Sequence, residues 1–356
     1  MATTRPAQAS RVTRSTAARI LIVDDSVVAR AVISKMIGGN AAFTVVGAVA
    51  DAQSAKAFLH ANRVDIILLD IEMPGIDGLS ALPDLLKLGH GARIIIVSSS
   101  CGEGAAATIQ ALALGAADTL VKPSLGNLVG RFSETLEEKL VRLLDCMRQD
   151  AVAPLSNAPH GAVGDEFDVI AIGASTGGIH ALSQVLREIP AHFDVPILIT
   201  QHLPPSFMPY FAAQISVLAG RPCDVATDHM RIERGRAIVA AGEAHLCCAR
   251  VGEHPVVRLS AARVASGCMP SVDPMFESVA AVFGNRALGV VLSGMGRDGT
   301  VGAQRLASTG AVVAVQDRAS SVVWGMPGSI VQAGCADAVM SPSEMGRFIA
   351  RRRRPA

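Results

Sequence analysis

The sequence predicts an α/β protein of two domains, and three observations carry that prediction. A chain of 356 residues is long for one hydrophobic core. Two stretches of it alternate short apolar, β-rich runs with helical patterns, as doubly wound parallel sheets do. Between them, residues 149–166 are rich in Ala, Pro, Gly and Asn and show no periodicity, which marks a linker. The expected partition is a basic tail over 1–17, a first domain over 18–148, the linker, a second domain over 167–350 and a basic tail over 351–356.

In the first domain, strands are expected near 18–24, 43–49, 64–70, 93–98 and 117–122, with helical segments such as Val27–Ile37 and Ala105–Leu114 between them. A last helix is expected from Asn127 to Met147. Its Phe132, Leu136, Leu140, Leu143 and Met147 recur at helical spacing, with Glu134, Glu137, Glu138 and Lys139 on the other side. Four of the apolar runs deliver polar groups at their carboxyl ends: Asp24 and Asp25, Asp70, Ser98, and Lys122. In an open parallel sheet ligands bind beyond those ends, so the four tips should converge on one crevice. Three carboxylates suit a hard cation such as Mg²⁺, while a lysine and a hydroxyl suit phosphate oxygens. Asp70 then reads as a carboxylate placed to take a phosphoryl group.

The second domain repeats the alternation without being a copy of the first. Strands are expected at Asp168–Gly173, Ile197–Thr200, Ala237–Ala241, Leu288–Leu292 and Ala311–Val315, and helices near 178–188, 205–216, 273–283 and 300–308. The first strand runs into Gly173-Ala174-Ser175-Thr176-Gly177-Gly178 and a helix, the setting of a Gly-x-Ser-x-Gly nucleophile elbow. A turn whose serine caps the helix is equally open on this motif alone. Two further strand ends favour the nucleophile. His202 follows Thr200-Gln201, and Asp298 lies in Ser293-Gly294-Met295-Gly296-Arg297-Asp298-Gly299. A serine needs a base, and that base an orienting acid. His180, His192, His229, His245 and His254 compete for the base, with His245 the best rival, and Asp273 or Asp317 for the acid.

Other classes are weighed against this. Gly294, Gly296 and Gly299 form Gly-x-Gly-x-x-Gly after a strand, with Asp317 ending the next, as a dinucleotide site would want. Asp298 inside that loop would repel a pyrophosphate, which argues against a nicotinamide oxidoreductase. A net charge of +1 gives no reason to expect nucleic acid. The amino-terminal stretch is Arg/Ser/Thr-rich, as transit peptides are, but has no apolar core. Seven scattered cysteines without Cys-x-x-Cys fit reduced thiols in a cytosolic protein. No apolar stretch approaches the roughly 20 residues that span a bilayer, so the chain is not expected to be membrane-embedded.

Asp24-Asp25, Asp70-Ile71-Glu72-Met73-Pro74, Ser98 and Lys122-Pro123 resemble the receiver domain of two-component response regulators, which is flavodoxin-like with a five-stranded parallel sheet. Gly173 to Gly178, Gln201-His202, Pro270-Ser271-Val272-Asp273 and Ser293 to Gly299 are similar to the chemotaxis protein-glutamate methylesterases of the CheB family. That resemblance implies Ser175 as nucleophile, His202 as base and Asp298 as its orienting acid, with the N–H groups of Thr176 and Met295 as oxyanion hole. It implies phosphorylation of Asp70, sensing by Ser98 and Lys122, and Mg²⁺ held by Asp24, Asp25, Asp70 and the backbone carbonyl of Glu72. The esterase step itself would need no metal. The implied phosphodonor is the histidine kinase CheA. The implied substrates are glutamyl methyl esters and glutamines of methyl-accepting chemoreceptors, met in the cytoplasm at membrane receptor arrays. The segment Gly267-Cys268-Met269 is less polar than the family pattern, which bears on substrate preference. A phosphorylation-controlled binding module with an inactive esterase half is the alternative.

Overall fold

A computed structural model describes residues 17–98, 102–122, 129–149 and 167–351. Residues 150–166 of the expected linker, nearly all of both basic tails, Pro123 and the expected start of the last helix at Asn127 lie outside the described residues.

The first domain has five parallel strands, β1 (Ala18–Val23), β2 (Phe43–Val49), β3 (Ile66–Asp70), β4 (Arg93–Ser98) and β5 (Asp118–Val121). Their spatial order is β2-β1-β3-β4-β5. Helices α1 (Val27–Ile37), α2 (Ala52–Ala61), α3 (Gly78–Leu88), α4 (Gly102–Leu114) and α5 (Val129–Gln149) alternate with them. β3 is central and buried at every residue, so its apolar run is continuous rather than alternating. It ends in Asp70. Gly78 opens α3 so close beneath that a Cβ there would meet the Asp70 carbonyl oxygen at 2.1 Å.

The second domain has seven parallel strands ordered β14-β13-β12-β6-β7-β9-β8. These are β6 (Val169–Ala174), β7 (Ile197–Gln201), β8 (Cys223–Val225), β9 (Ala237–Val239), β12 (Ala287–Val291), β13 (Val312–Gln316) and β14 (Ala338–Met340). Strands β10 (His245–Val251) and β11 (His254–Ser260) form a separate antiparallel hairpin. The helices are α6 (Gly178–Arg187), α7 (Met208–Ala219), α8 (Val272–Phe283), α9 (Thr300–Ser308), α10 (Gly325–Gln332) and α11 (Pro342–Arg351). Sequence order reverses on either side of β6, and the crevice at such a switch point is where ligands bind. Ser175, His202 and Asp298 follow the three strands that meet there.

The hairpin, the three-residue strands β8 and β14, and helices α10 and α11 go beyond the sequence expectation. Leu246, Cys248 and Val257 of the hairpin share a buried cluster with Met275, Phe276 and Val279 of α8, so the hairpin covers one face of that helix. A second apolar cluster crosses the domain boundary. It joins Ile109 and Leu112 of α4 to Ile179 and Leu182 of α6 and Phe211 of α7. Burial on this scale holds the receiver-like half against the mouth of the second sheet.

Candidate active site

Ser175 follows β6 and precedes a turn that only glycine can make. Gly177 has φ +75°, and a Cβ there would lie 2.4 Å from Val322 Cβ. The Ser175 N–H donates to the Ser293 carbonyl at 3.0 Å, and the Gln201 side-chain amide donates to the Ser175 carbonyl at 3.0 Å. The elbow is thereby tied to the loops after β12 and β7. Among the described residues neither the N–H of Thr176 nor that of Met295 donates a hydrogen bond within the protein. Both are free to face a ligand oxygen.

His202 is fixed by its own N–H, which donates to the Ala174 carbonyl at 3.2 Å. Its Nε2 lies 2.8 Å from Asp298 Oδ2. Asp298 is 2% exposed and fully engaged. Its Oδ2 also accepts the Val272 N–H at 2.7 Å, while Oδ1 accepts the Ser271 and Ser266 hydroxyls at 2.5 and 3.2 Å. Burial alone would push this carboxyl up; the bond from His202 and its charge, then Ser271 and Val272, hold it down at about 2. For His202 burial disfavours the cation, but Asp298 and the Cys268 thiol outweigh that and raise the imidazole to about 9. Ser175 and His202 line one cavity of about 420 Å³, although no hydrogen bond joins Ser175 Oγ to His202 among the described residues.

His245, the rival base, is fully buried one step behind. Its Nδ1 accepts the Ser271 N–H at 2.9 Å, so its Nε2 carries the proton donated to the Ala262 carbonyl at 2.8 Å. It positions Ser271, which in turn holds Asp298. Asp273 accepts the Gly302 N–H, and Asp317 accepts from Ser320, so neither competes as a partner of His202. Sequence motifs alone give Ser266, Ser271 and Cys268 no part in holding His202 or Asp298. The motif around Pro270 was visible, but nothing in residue spacing says that a loop leaving β11 folds back over a loop leaving β12.

The first domain brings its own cluster together. Oxygens of Asp24, Asp25 and Asp70 lie within 4.8 Å of one another. Lys122 Nζ is 2.5 Å from Asp70 Oδ2 and 3.2 Å from Asp24 Oδ2. Asp24 Oδ2 is buried and, despite that proximity, accepts no hydrogen bond. Burial raises Asp70 above the usual carboxylate range; Lys122 opposes this, and the charge of Asp24 adds to it. A buried oxygen that accepts no hydrogen bond, among crowded carboxylates, fits a hard divalent cation. Glu72 is placed with its N–H donating to Asp70 Oδ1 at 3.1 Å. Ser98 is fully buried at the end of β4, its Oγ 2.6 Å from Thr108 Oγ1 of α4. Thr108 gives its proton to the Gly104 carbonyl, so Ser98 is the donor of the pair.

The two domains touch at the start of β5. The Ala117 carbonyl accepts the Gly177 N–H at 2.8 Å, and Asp118 Oδ2 accepts the Thr176 hydroxyl at 2.8 Å while Oδ1 accepts from Lys139 at 2.8 Å. Leu112, Asp118, Glu138 and Arg142 line the same cavity as Ser175 and His202.

The family description "CheB methylesterase" matches residues 170–349, and "Response regulator receiver domain" matches residues 20–132. The chain is 37% identical to the protein-glutamate methylesterase/protein-glutamine glutaminase 1 of Paramagnetospirillum magneticum, over 93% of this chain and 95% of the relative. It is 38% identical to the protein-glutamate methylesterase/protein-glutamine glutaminase 2 of Caulobacter vibrioides, over 94% of this chain and 99% of the relative. The crystal structure of the Thermotoga maritima CheB methylesterase catalytic domain superposes with a TM-score of 0.51 at 28% identity, covering 52% of this chain and 98% of that one. With a receiver sheet ending in Asp70 and an esterase sheet ending in Ser175, this chain belongs to the CheB methylesterase family.

Proposed function

We propose that this chain hydrolyses glutamyl methyl esters on methyl-accepting chemoreceptors and deamidates receptor glutamines, with phosphorylation of Asp70 by the kinase CheA releasing the site. The observation that carries the reading is the His202–Asp298 bond at 2.8 Å on the cavity that Ser175 also lines. Ser175 Oγ attacks the ester carbonyl as neutral His202 takes its proton. Asp298 stabilises the imidazolium that results. The N–H groups of Thr176 and Met295 receive the oxyanion, and His202 returns the proton to the departing methoxide, which leaves as methanol. Water, deprotonated by His202, then attacks the acyl-enzyme, frees glutamate and restores the Ser175 hydroxyl. A glutamine side chain follows the same course with ammonia leaving.

In the receiver, Asp24, Asp25, Asp70 and the Glu72 carbonyl would hold Mg²⁺, whose charge offsets that of the incoming phosphoryl group. Lys122 would move from the Asp70 carboxylate to a phosphoryl oxygen, and Ser98 would leave Thr108 for another. Loss of the Ser98–Thr108 bond loosens α4, the helix that packs on α6. In the closed arrangement α4, β5 and α5 wall the cavity and restrict a protein substrate. The site of action is the cytoplasmic side of receptor arrays. Methanol release from methylated receptor, measured with and without a small-molecule phosphodonor and Mg²⁺, tests the reading. Binding of receptor without any methanol would leave an inactive binding module in its place.

A further inference from the structure

We infer that His202, Cys268 and Asp298 form a binding site for Zn²⁺ that holds the enzyme off. One ligand atom from each of these residues lies within 4.8 Å of the others. Imidazole nitrogen, thiolate and carboxylate oxygen are the donors zinc takes, and three protein ligands with an open fourth position are the usual number where the site stays accessible. Here the open side is the cavity that Ser175 lines.

Two features distinguish this from a chance meeting of side chains. The first is outer support. Asp298 keeps hydrogen bonds from Ser271, Ser266 and the Val272 N–H, and Ser271 is itself held by buried His245. Ligating carboxylates are held in this way in metal sites. The second is freedom where closure needs it. Tetrahedral zinc separates its ligand atoms by about 3.3–3.7 Å, given bonds near 2.0–2.3 Å. His202 and Asp298 at 2.8 Å would open slightly, and Cys268, already within 4.8 Å of both, would have at most about an ångström to close. Cys268 follows Gly267, at φ +68° with open space around it, in an exposed loop between β11 and α8.

The metal would take the place of the proton that His202 Nε2 and Asp298 now share, and the Cys268 thiol would lose its own. An imidazole fixed on zinc cannot cycle through the imidazolium. The inhibitory consequence rests on His202 serving as the base of the proposed esterase; binding itself does not.

Co²⁺ titration of the full chain tests the site, because a thiolate ligand adds an intense sulfur-to-cobalt charge-transfer band that the oxygen donors of the receiver cannot produce. One equivalent should develop the band, and Zn²⁺ should abolish it. Cys268→Ser, a conservative change in an open loop, should remove it and weaken Zn²⁺ binding by at least about tenfold, since even second-shell changes cost that much. Ser175→Ala should keep it. Absence of the band, or its persistence in Cys268→Ser through one of the other thiols, overturns the proposal. An enzyme without esterase activity that still shows the Cys268-dependent band would refute the proposed function and leave the metal site standing.

Discussion

Asp118 of the receiver accepts the hydroxyl proton of Thr176, the residue after Ser175, at 2.8 Å across the domain boundary. Its other oxygen is held by Lys139 of α5, so the latch is anchored within the receiver. Together with the Gly177 N–H given to the Ala117 carbonyl, it fastens the turn that carries Ser175. Asp118→Ala removes a charge-assisted bond. A net loss of about 1 kcal/mol, after water replaces it, shifts a closed–open equilibrium about fivefold. The unphosphorylated variant should therefore release methanol several-fold faster than the wild type, and gain correspondingly less from phosphodonor. Unchanged basal activity would mean that the apolar contact of α4 with α6 alone keeps the domains closed.

Asp70→Asn should leave basal esterase activity intact and abolish activation by a small-molecule phosphodonor with Mg²⁺. Asp70 and Ser175 end different sheets, so the phosphoryl group can reach the ester chemistry only by changing how the domains pack. Thr108→Val, which deletes the partner of the Ser98 hydroxyl, should raise basal activity while still allowing phosphorylation. Stopped-flow phosphorylation alongside methanol release separates the two effects.

Much of this arrangement was legible beforehand for one physical reason. Buried parallel strands are continuous apolar runs, and the group at each carboxyl end stands out against them; Asp70, Ser98, Ser175 and His202 were all found so. The rest was hidden by length and by tertiary folding. The strand Cys223–Val225 has three residues, too few to show a period. The hairpin of β10 and β11 turns at Gly252-Glu253, with Gly252 at φ +60°, but His245-Leu246-Cys247-Cys248 lacks the β-branched residues that mark a strand. Ser266, Cys268 and Ser271 reach Asp298 only because one loop folds over another, and no local pattern encodes that.

Ser175→Ala should abolish methanol release while leaving the fold and Asp70 phosphorylation unchanged, because it removes the hydroxyl proposed to form the acyl-enzyme. His202→Ala should be as inactive. His245→Ala has a different signature. It should reduce activity and lower stability by about 1–3 kcal/mol, as the loss of a fully buried, doubly hydrogen-bonded ring does. Chemical denaturation beside the activity assay distinguishes them. A stable but inactive His245→Ala with an active His202→Ala would reverse the assignment of the base.

The pH dependence follows from the same pair. His202 is raised from 6.5 to about 9 because Asp298 and Cys268 overcome the burial that disfavours its charge. A base must be neutral to take a proton, so esterase activity should climb through the alkaline range rather than level off near the ordinary histidine value. Stability runs the other way. A group whose pKa is higher folded than unfolded contributes fully below the unfolded value, and that contribution fades as pH rises from 6.5 through about 9. Asp298 behaves oppositely: held at about 2 against 3.8, it contributes above 3.8 and loses that contribution as the solution is acidified toward 2. In Asp298→Asn the main support of the imidazolium is gone while burial remains, so the His202 midpoint should fall by at least about one unit. Imidazole carbon–proton resonances followed by two-dimensional NMR give both midpoints directly. A His202 titration near 6.5 in the wild type, unmoved by Asp298→Asn, would show that the 2.8 Å contact does not govern the base.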